Sequence, residues 1–253
     1  MRCYWWRGAS TNFGDELSHL ILSHFAQINI EQSNPNDAEI VSTGSVLDVL
    51  PVRWTGIVAG SGQLHSTTHR DLTNAHVFGL RGEFTAQFSK LNSHDRANLT
   101  IGDPGLLASE LVPVERGKYE LGVVPHWSDA ELYPRELARS RKQHYAEPIL
   151  IDPTSDPLSV VAQIGSCKKI IASSLHGIIC ADAFGIPRRA EQFAKMTSPY
   201  EGGRFKFADY ASSIRQPIEF GKLQTAPANR IAAMQTELFE MLREVGKFVC
   251  QGE

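Results

Sequence analysis

Ile170-Ile-Ala-Ser-Ser-Leu-His-Gly-Ile-Ile-Cys-Ala-Asp-Ala-Phe-Gly-Ile-Pro187 carries an apolar run into two hydroxyls, a histidine and a glycine, and then into a helical pattern. The reading is a strand over 169–172, a polar turn, and a helix over 177–184. In an α/β fold such a turn presents its polar groups at the carboxyl edge of a sheet, where ligands bind. Ser173 and Ser174 can cap the helix, and the free N–H groups of its first turn favour an anion. His176 stands at the same mouth. Asn12-Phe-Gly-Asp15 and Pro125-His-Trp127 repeat the pattern of strand followed by polar turn, which points to one shared site.

Working outward, the first half reads as repeated strand, polar turn and helix. Strands are expected over 1–6, 38–42, 54–59, 74–80 and near 99–101. Helices are expected over 16–25 and 84–92, with short ones at 47–50 and 106–107. Glu110 to Lys118 breaks the pattern, and the domain boundary is placed there, giving domains over 1–114 and 115–253. The second half resumes with strands at 120–124 and 148–151, a charged helix over 130–143, and an amphipathic helix over 157–164. After the 170–187 unit, a polar loop region is expected around 207–213. A long helix over 229–248 is expected to bridge back over the first domain. Alternating strands and helices imply parallel, doubly wound sheets.

Composition narrows the function. The 253 residues suffice for two domains with their own cores. With 25 basic and 28 acidic side chains, the chain has a net charge of -3 and no uniform field to attract nucleic acid. Cys3, Cys167, Cys180 and Cys250 show neither disulfide nor metal-type spacing, so reduced thiols and no metal are expected. No apolar stretch reaches the length of a membrane span, and no secretory leader is evident. A cytoplasmic protein is the reading, with peripheral association at the inner face of the membrane left open.

Seven short motifs occur in one order: Asn12-Phe-Gly-Asp15, Gly79-Leu-Arg-Gly82, Gly102-Asp-Pro-Gly-Leu-Leu107, Gly122-Val-Val-Pro-His126, Ile151-Asp-Pro153, Ser173-Ser-Leu-His-Gly177 and Phe205-Lys-Phe-Ala-Asp-Tyr210. In that order the chain resembles the polysaccharide pyruvyl transferase family over nearly its whole length. The resemblance implies two Rossmann-like domains facing across a cleft, as in GT-B glycosyltransferases. It implies phosphoenolpyruvate as donor substrate, no separate cofactor, and a sugar of an exopolysaccharide or of its lipid-linked precursor as acceptor. Many members have arginine where this chain has Ser174, and the bacterial exopolysaccharide ketal-pyruvate branch is the better match.

The residues suit that chemistry. A donor with a carboxylate and a phosphate asks for hydrogen-bond donors, which a helix start with Ser173, Ser174 and Gly177 supplies. Ketal formation asks for an acid and a base working near neutrality. His176 is expected to contact the phosphate, and either His176 or His126 is the proton donor. Asp15 is the expected base toward the acceptor, or else a helix cap. Asn12, Gly14 and Gly177 shape the turns, and Asp103 before Pro104 reads as a turn former. With Ser174 in the arginine position another cation is needed. Arg81, Arg188 and Arg204 are expected ahead of Lys206, because guanidinium grips a carboxylate in two places. The rival readings are a nucleotide-sugar glycosyltransferase and a noncatalytic sugar- or nucleotide-binding protein on the same domains. Oligomeric state is not legible.

Overall fold

Short runs of β-branched and small apolar residues, such as Ile57-Val-Ala59 and Ile170-Ile-Ala172, are buried along their whole length, as strands covered on both faces must be. The computed structural model describes residues 1–8, 10–66, 68–128, 148–192 and 204–251. The charged helix expected over 130–143, together with His144, lies outside the described residues. So do Gly202 and Gly203.

The first sheet is made of β1 (Arg2–Cys3), β2 (Glu31–Gln32), β3 (Ile40–Val41), β4 (Ile57–Ala59), β6 (His76–Leu80) and β8 (Thr100–Ile101). Their spatial order is β2-β1-β3-β4-β6-β8, and every pairing is parallel. Strands β5 (Arg70–Asp71) and β7 (Ser89–Lys90) form a separate two-stranded ribbon. The second sheet runs β10 (Ile149–Leu150), β9 (Gly122–Val124), β11 (Ile170–Ala172), β12 (Arg188–Ala190) and β13 (Leu223–Gln224), with only the β13 edge antiparallel. The molecule is therefore α/β with parallel sheets, compatible with Rossmann-like units. Parallel strands all point one way, so the polar turns that follow them collect at one edge of each sheet.

Helices α1 (Phe13–Ile21), α2 (Glu83–Phe88), α3 (Ser93–Ala97), α4 (Pro157–Gly165), α5 (Leu175–Ala183), α6 (Phe205–Ile214) and α7 (Ala228–Gln251) complete the described part, with a tight helix over Pro104–Glu110. A single-turn π-helix, Leu22–Ala26, extends α1. One apolar cluster joins α1, the 104–110 helix, α4, α5 and α7. It holds Leu17, Leu106, Ile164, Ile179 and Leu238, so elements of both sheets share a core. Helix α7 lays Ile231, Met234, Leu238, Leu242 and Val245 inward. Gly79 and Gly102 let it approach closely, for a Cβ on either would meet Met241 or Met234.

Two expected elements are corrected. The helix expected over 84–92 ends at Phe88, and Ser89–Lys90 forms β7. The stretch expected as a polar loop at 207–213 is helix α6. Its polar residues are internal to the structure: Asp209 is paired inward with Arg81, and the Ser212 and Ser213 hydroxyls donate back to the carbonyls of Asp209 and Tyr210. Phe207, Tyr210, Ala211 and Ile214 form its buried stripe.

Candidate active site

The turns that follow β1 and β11 meet each other. Helix α1 starts on Asn12, whose backbone is extended, and the Phe13 N–H donates to the Pro153 carbonyl of the second half at 2.9 Å. Thr11 Oγ1 donates to the Thr154 carbonyl at 2.6 Å. These two bonds seat the first turn of α1 against the turn between β10 and α4. A Cβ on Gly14 would lie 2.1 Å from His176 Nδ1 and 2.3 Å from its Cγ, so only glycine admits the imidazole there. Phe13 meets the same ring edge-on, with centroids 6.4 Å apart.

Asp15 lies in the first turn of α1 and is 9% exposed. It is not the cap; Asn12 holds that position and donates from Nδ2 to Asp15 Oδ2 at 2.5 Å. On its other side stands Gly44, at a φ of +94° that favours glycine, and a Cβ there would reach to 2.6 Å from Asp15 Oδ1. Burial pushes the Asp15 carboxyl up to about 6 against the opposing effects of the Asn12 hydrogen bond and the Lys206 charge.

In the second sheet, Ser174 caps α5 by accepting from the Gly177 N–H. Ser173 Oγ accepts from the His126 N–H at 2.8 Å, tying the turn after β9 to the turn after β11. His126 Nδ1 lies 2.8 Å from Ser128 Oγ. Gly177 packs on Ala172 and Val124 and serves the helix-sheet contact. Burial pushes both imidazoles down to about 3, aided by the Lys206 charge and, for His176, by Arg81. At neutral pH both rings are therefore neutral, which corrects the expectation of an imidazole already poised to titrate near neutrality.

Asp103 is a group that sequence reasoning left as a turn former. It does cap the 104–110 helix, its Oδ1 accepting from the Gly105 N–H at 2.8 Å. Its other oxygen, Oδ2, faces His176 Nε2 across 3.9 Å, and neither atom has a hydrogen-bond partner among the described residues. Burial pushes this carboxyl, too, up to about 6.

The cations divide differently from expectation. Arg81 is 0% exposed and braces two turns and helix α6, donating to Asp209 Oδ2 at 2.9 Å, Ser45 Oγ at 2.5 Å and the Gln63 carbonyl at 2.6 Å. Its charge still acts on Asp103 and His176. Arg188 is corrected: it begins β12, so it sits at the amino edge of the sheet. It is committed to a buried ion pair with Asp182 at 3.0 Å, which Tyr210 completes. The length of α5 from His176 to Asp182, about 9 Å at the helical rise, separates it from the turn. Arg204 is exposed and lies over the Phe220 ring at 5.2 Å. Lys206 on α6 is the cation whose charge acts on Asp15, His126 and His176 together. The Phe205-Lys206 motif was the signal for it, outweighed by the preference for guanidinium. Among the described residues no cluster of His, Cys, Asp or Glu is arranged to hold a metal ion.

These features define an α/β protein whose parallel sheets bring two carboxylates, two neutral imidazoles and a shared cationic field to one buried meeting point of turns. The profile of the polysaccharide pyruvyl transferase family matches residues 55–190. The chain is 30% identical over 222 residues to the succinoglycan biosynthesis protein ExoV of Rhizobium meliloti (strain 1021), covering 85% of this chain and 65% of that protein. It is 33% identical over 162 residues to the uncharacterized protein L143 of Acanthamoeba polyphaga mimivirus, covering 62% of this chain and 54% of that one. No solved structure matches the chain. The chain belongs to the polysaccharide pyruvyl transferase family. It spans between about half and two thirds of the length of these relatives.

Proposed function

We propose that this chain transfers a pyruvyl group from phosphoenolpyruvate to two hydroxyls of a sugar, in an exopolysaccharide or its lipid-linked precursor, forming a ketal. The observation that carries the reading is the contact of the Asn12–Asp15 turn with His176, which joins an acceptor-side carboxylate to an anion-facing helix start. Family membership and the likeness to a succinoglycan biosynthesis protein support the same reaction class.

The roles follow from the charges. Lys206 and Arg81 supply the positive field that a donor with a carboxylate and a phosphate needs where water is scarce. The N–H groups at the start of α5 add to it. Asp15, ionised above about pH 6, is the base that takes a proton from the attacking sugar hydroxyl. The donor's C3 gains a proton, C2 is attacked by the hydroxyl oxygen, phosphate leaves, and the second hydroxyl closes the ring. Two protons leave the sugar: one ends on C3 and one on the phosphate. His176 faces the phosphate, whose negative charge raises an imidazole's affinity for a proton and makes it the donor of the proton that C3 gains in the complex. His126 is the second candidate for that role. A GT-B-like pairing of the two sheets and a place on the cytoplasmic side of the membrane complete the reading. Among the described residues no helix is long and apolar enough to cross a membrane.

Calorimetric titration tests the donor. Phosphoenolpyruvate should bind, and a panel of nucleotide sugars should give no heat. The opposite result, heat from a nucleotide sugar alone, would replace this reading with glycosyl transfer.

A further inference from the structure

Asp103 Oδ2 and His176 Nε2 are two buried polar atoms, on elements of different sheets, facing each other without a hydrogen-bond partner among the described residues. At 3.9 Å they are too far apart for a hydrogen bond. Leaving two such groups unsatisfied costs on the order of 1–3 kcal/mol each, and a native fold rarely carries that cost without a use. An oxygen about 2.8 Å from both atoms would sit off the line joining them and satisfy both. The pair is 0% and 6% exposed, yet it adjoins the meeting point of the turns already described. The charged and titratable groups around it are Asp15 on α1, Arg81 after β6, Cys180 on α5, and Lys206, Asp209 and Tyr210 on α6.

We propose that Asp103 Oδ2 and His176 Nε2 form the seat of one phosphate oxygen of the donor, and that Asp103 is a catalytic residue that takes up a proton with the donor and hands it to that oxygen. The proposal rests on the pyruvyl-transfer reading. Before donor binds, above about pH 6 the carboxyl is ionised and has no proton to give. An arriving phosphate sets like charge against it in a dry pocket and draws a proton onto the carboxyl. When the bond between C2 and the phosphate oxygen breaks, the electron pair goes to that oxygen and the Asp103 proton follows. The carboxylate left behind is reprotonated by the proton that the second sugar hydroxyl releases. His176 Nε2 holds the oxygen in line during the exchange.

The test is titration of the whole chain with phosphoenolpyruvate at pH 7.5, repeated in buffers of different ionisation enthalpy, which counts the protons taken up. Wild type should take up protons as the donor binds. Asp103→Asn retains the Oδ1 acceptor for the Gly105 N–H and should take up about one proton fewer per donor bound, the rest being uptake at His176. Its turnover should fall by roughly a hundredfold or more. Asp103→Ser, which also preserves a cap, serves if the asparagine variant does not fold. Donor binding to wild type without linked uptake, or equal uptake in the variants, overturns the assignment and leaves the pyruvyl-transfer reading standing. Failure of phosphoenolpyruvate to bind wild type at all overturns both.

Discussion

Replacing Gly14 by alanine sets two effects against each other at the contact that defines the site. Gly14 lies in the first turn of α1, where alanine is favoured over glycine by about 1 kcal/mol of helix propensity. The new methyl, however, would lie 2.1 Å from His176 Nδ1, 2.3 Å from Cγ and 2.6 Å from Cβ. Ordinary contact begins near 3.4 Å, so the imidazole must move by on the order of 1 Å. It has little room, with Phe13 against its edge and Gly105 and Asp103 beyond it. Overpacking of this kind costs about 1–3 kcal/mol, which outweighs the propensity gain. The expected net loss is up to about 2 kcal/mol, seen as a fall of up to about 8 °C in Tm for a chain of this size. Turnover should fall further, by about a hundredfold, because a shift of about 1 Å spoils the alignment of a reacting group. Thermal unfolding and donor-dependent phosphate release measure the two effects. Gly185→Ala is the control: its φ of +67° makes alanine strained, but no described residue lies within 4 Å of the added carbon, so stability should fall and activity hold. A Gly14→Ala protein with wild-type melting and full turnover would refute the claim that the two turns pack on each other in the working site.

Three further outcomes follow from the charges. Lys206→Met should raise the apparent KM for phosphoenolpyruvate and let the titrations of His176 and His126 move upward, read by NMR of the ring protons; unmoved titrations would remove Lys206 from the site. Asp15→Asn should change how stability depends on pH. The raised carboxyl favours the fold at low pH and loses that advantage as pH rises from about 4 through 6, so the variant should match wild type near pH 4. Above pH 7 it should exceed wild type by about 2–3 kcal/mol in urea unfolding, and a parallel pH profile for the two proteins would contradict this. Arg188→Met should cost about 3–5 kcal/mol by stranding Asp182 in the core, and Asp182→Asn in the same chain should restore part of it; a donor affinity that falls in the folded double variant would return Arg188 to the site.

Much of the architecture was legible because it is written locally. The strand runs 57–59, 122–124 and 170–172 announce themselves by buried, β-branched residues, and the helix 228–251 by its apolar stripe. The turn residues Asn12, Asp15, His126, Ser173 and His176 were equally readable, since polar residues directly after an apolar strand have a known place in a parallel sheet. Helix α6 was not, because its polar side is polar for tertiary reasons: Asp209 is there to meet Arg81, 128 residues away in the chain.

The amino-acid sequence by itself determined the α/β class, the parallel strands, the polar turns at their ends and the family, all carried by residues close together in the chain. Only the tertiary structure decided which cations face the site and which carboxylate partners the imidazole. Arg81 and Arg188 look equally free on paper, yet both are spent on buried aspartates, while Lys206 acts on Asp15 and both histidines. Asp103 looks like a turn former, and one of its oxygens is; the other faces His176 only because two sheets pack through a common core. The physical reason is range. Strand, turn and helix preferences act over a few residues, whereas desolvation and charge depend on every group that folding brings near.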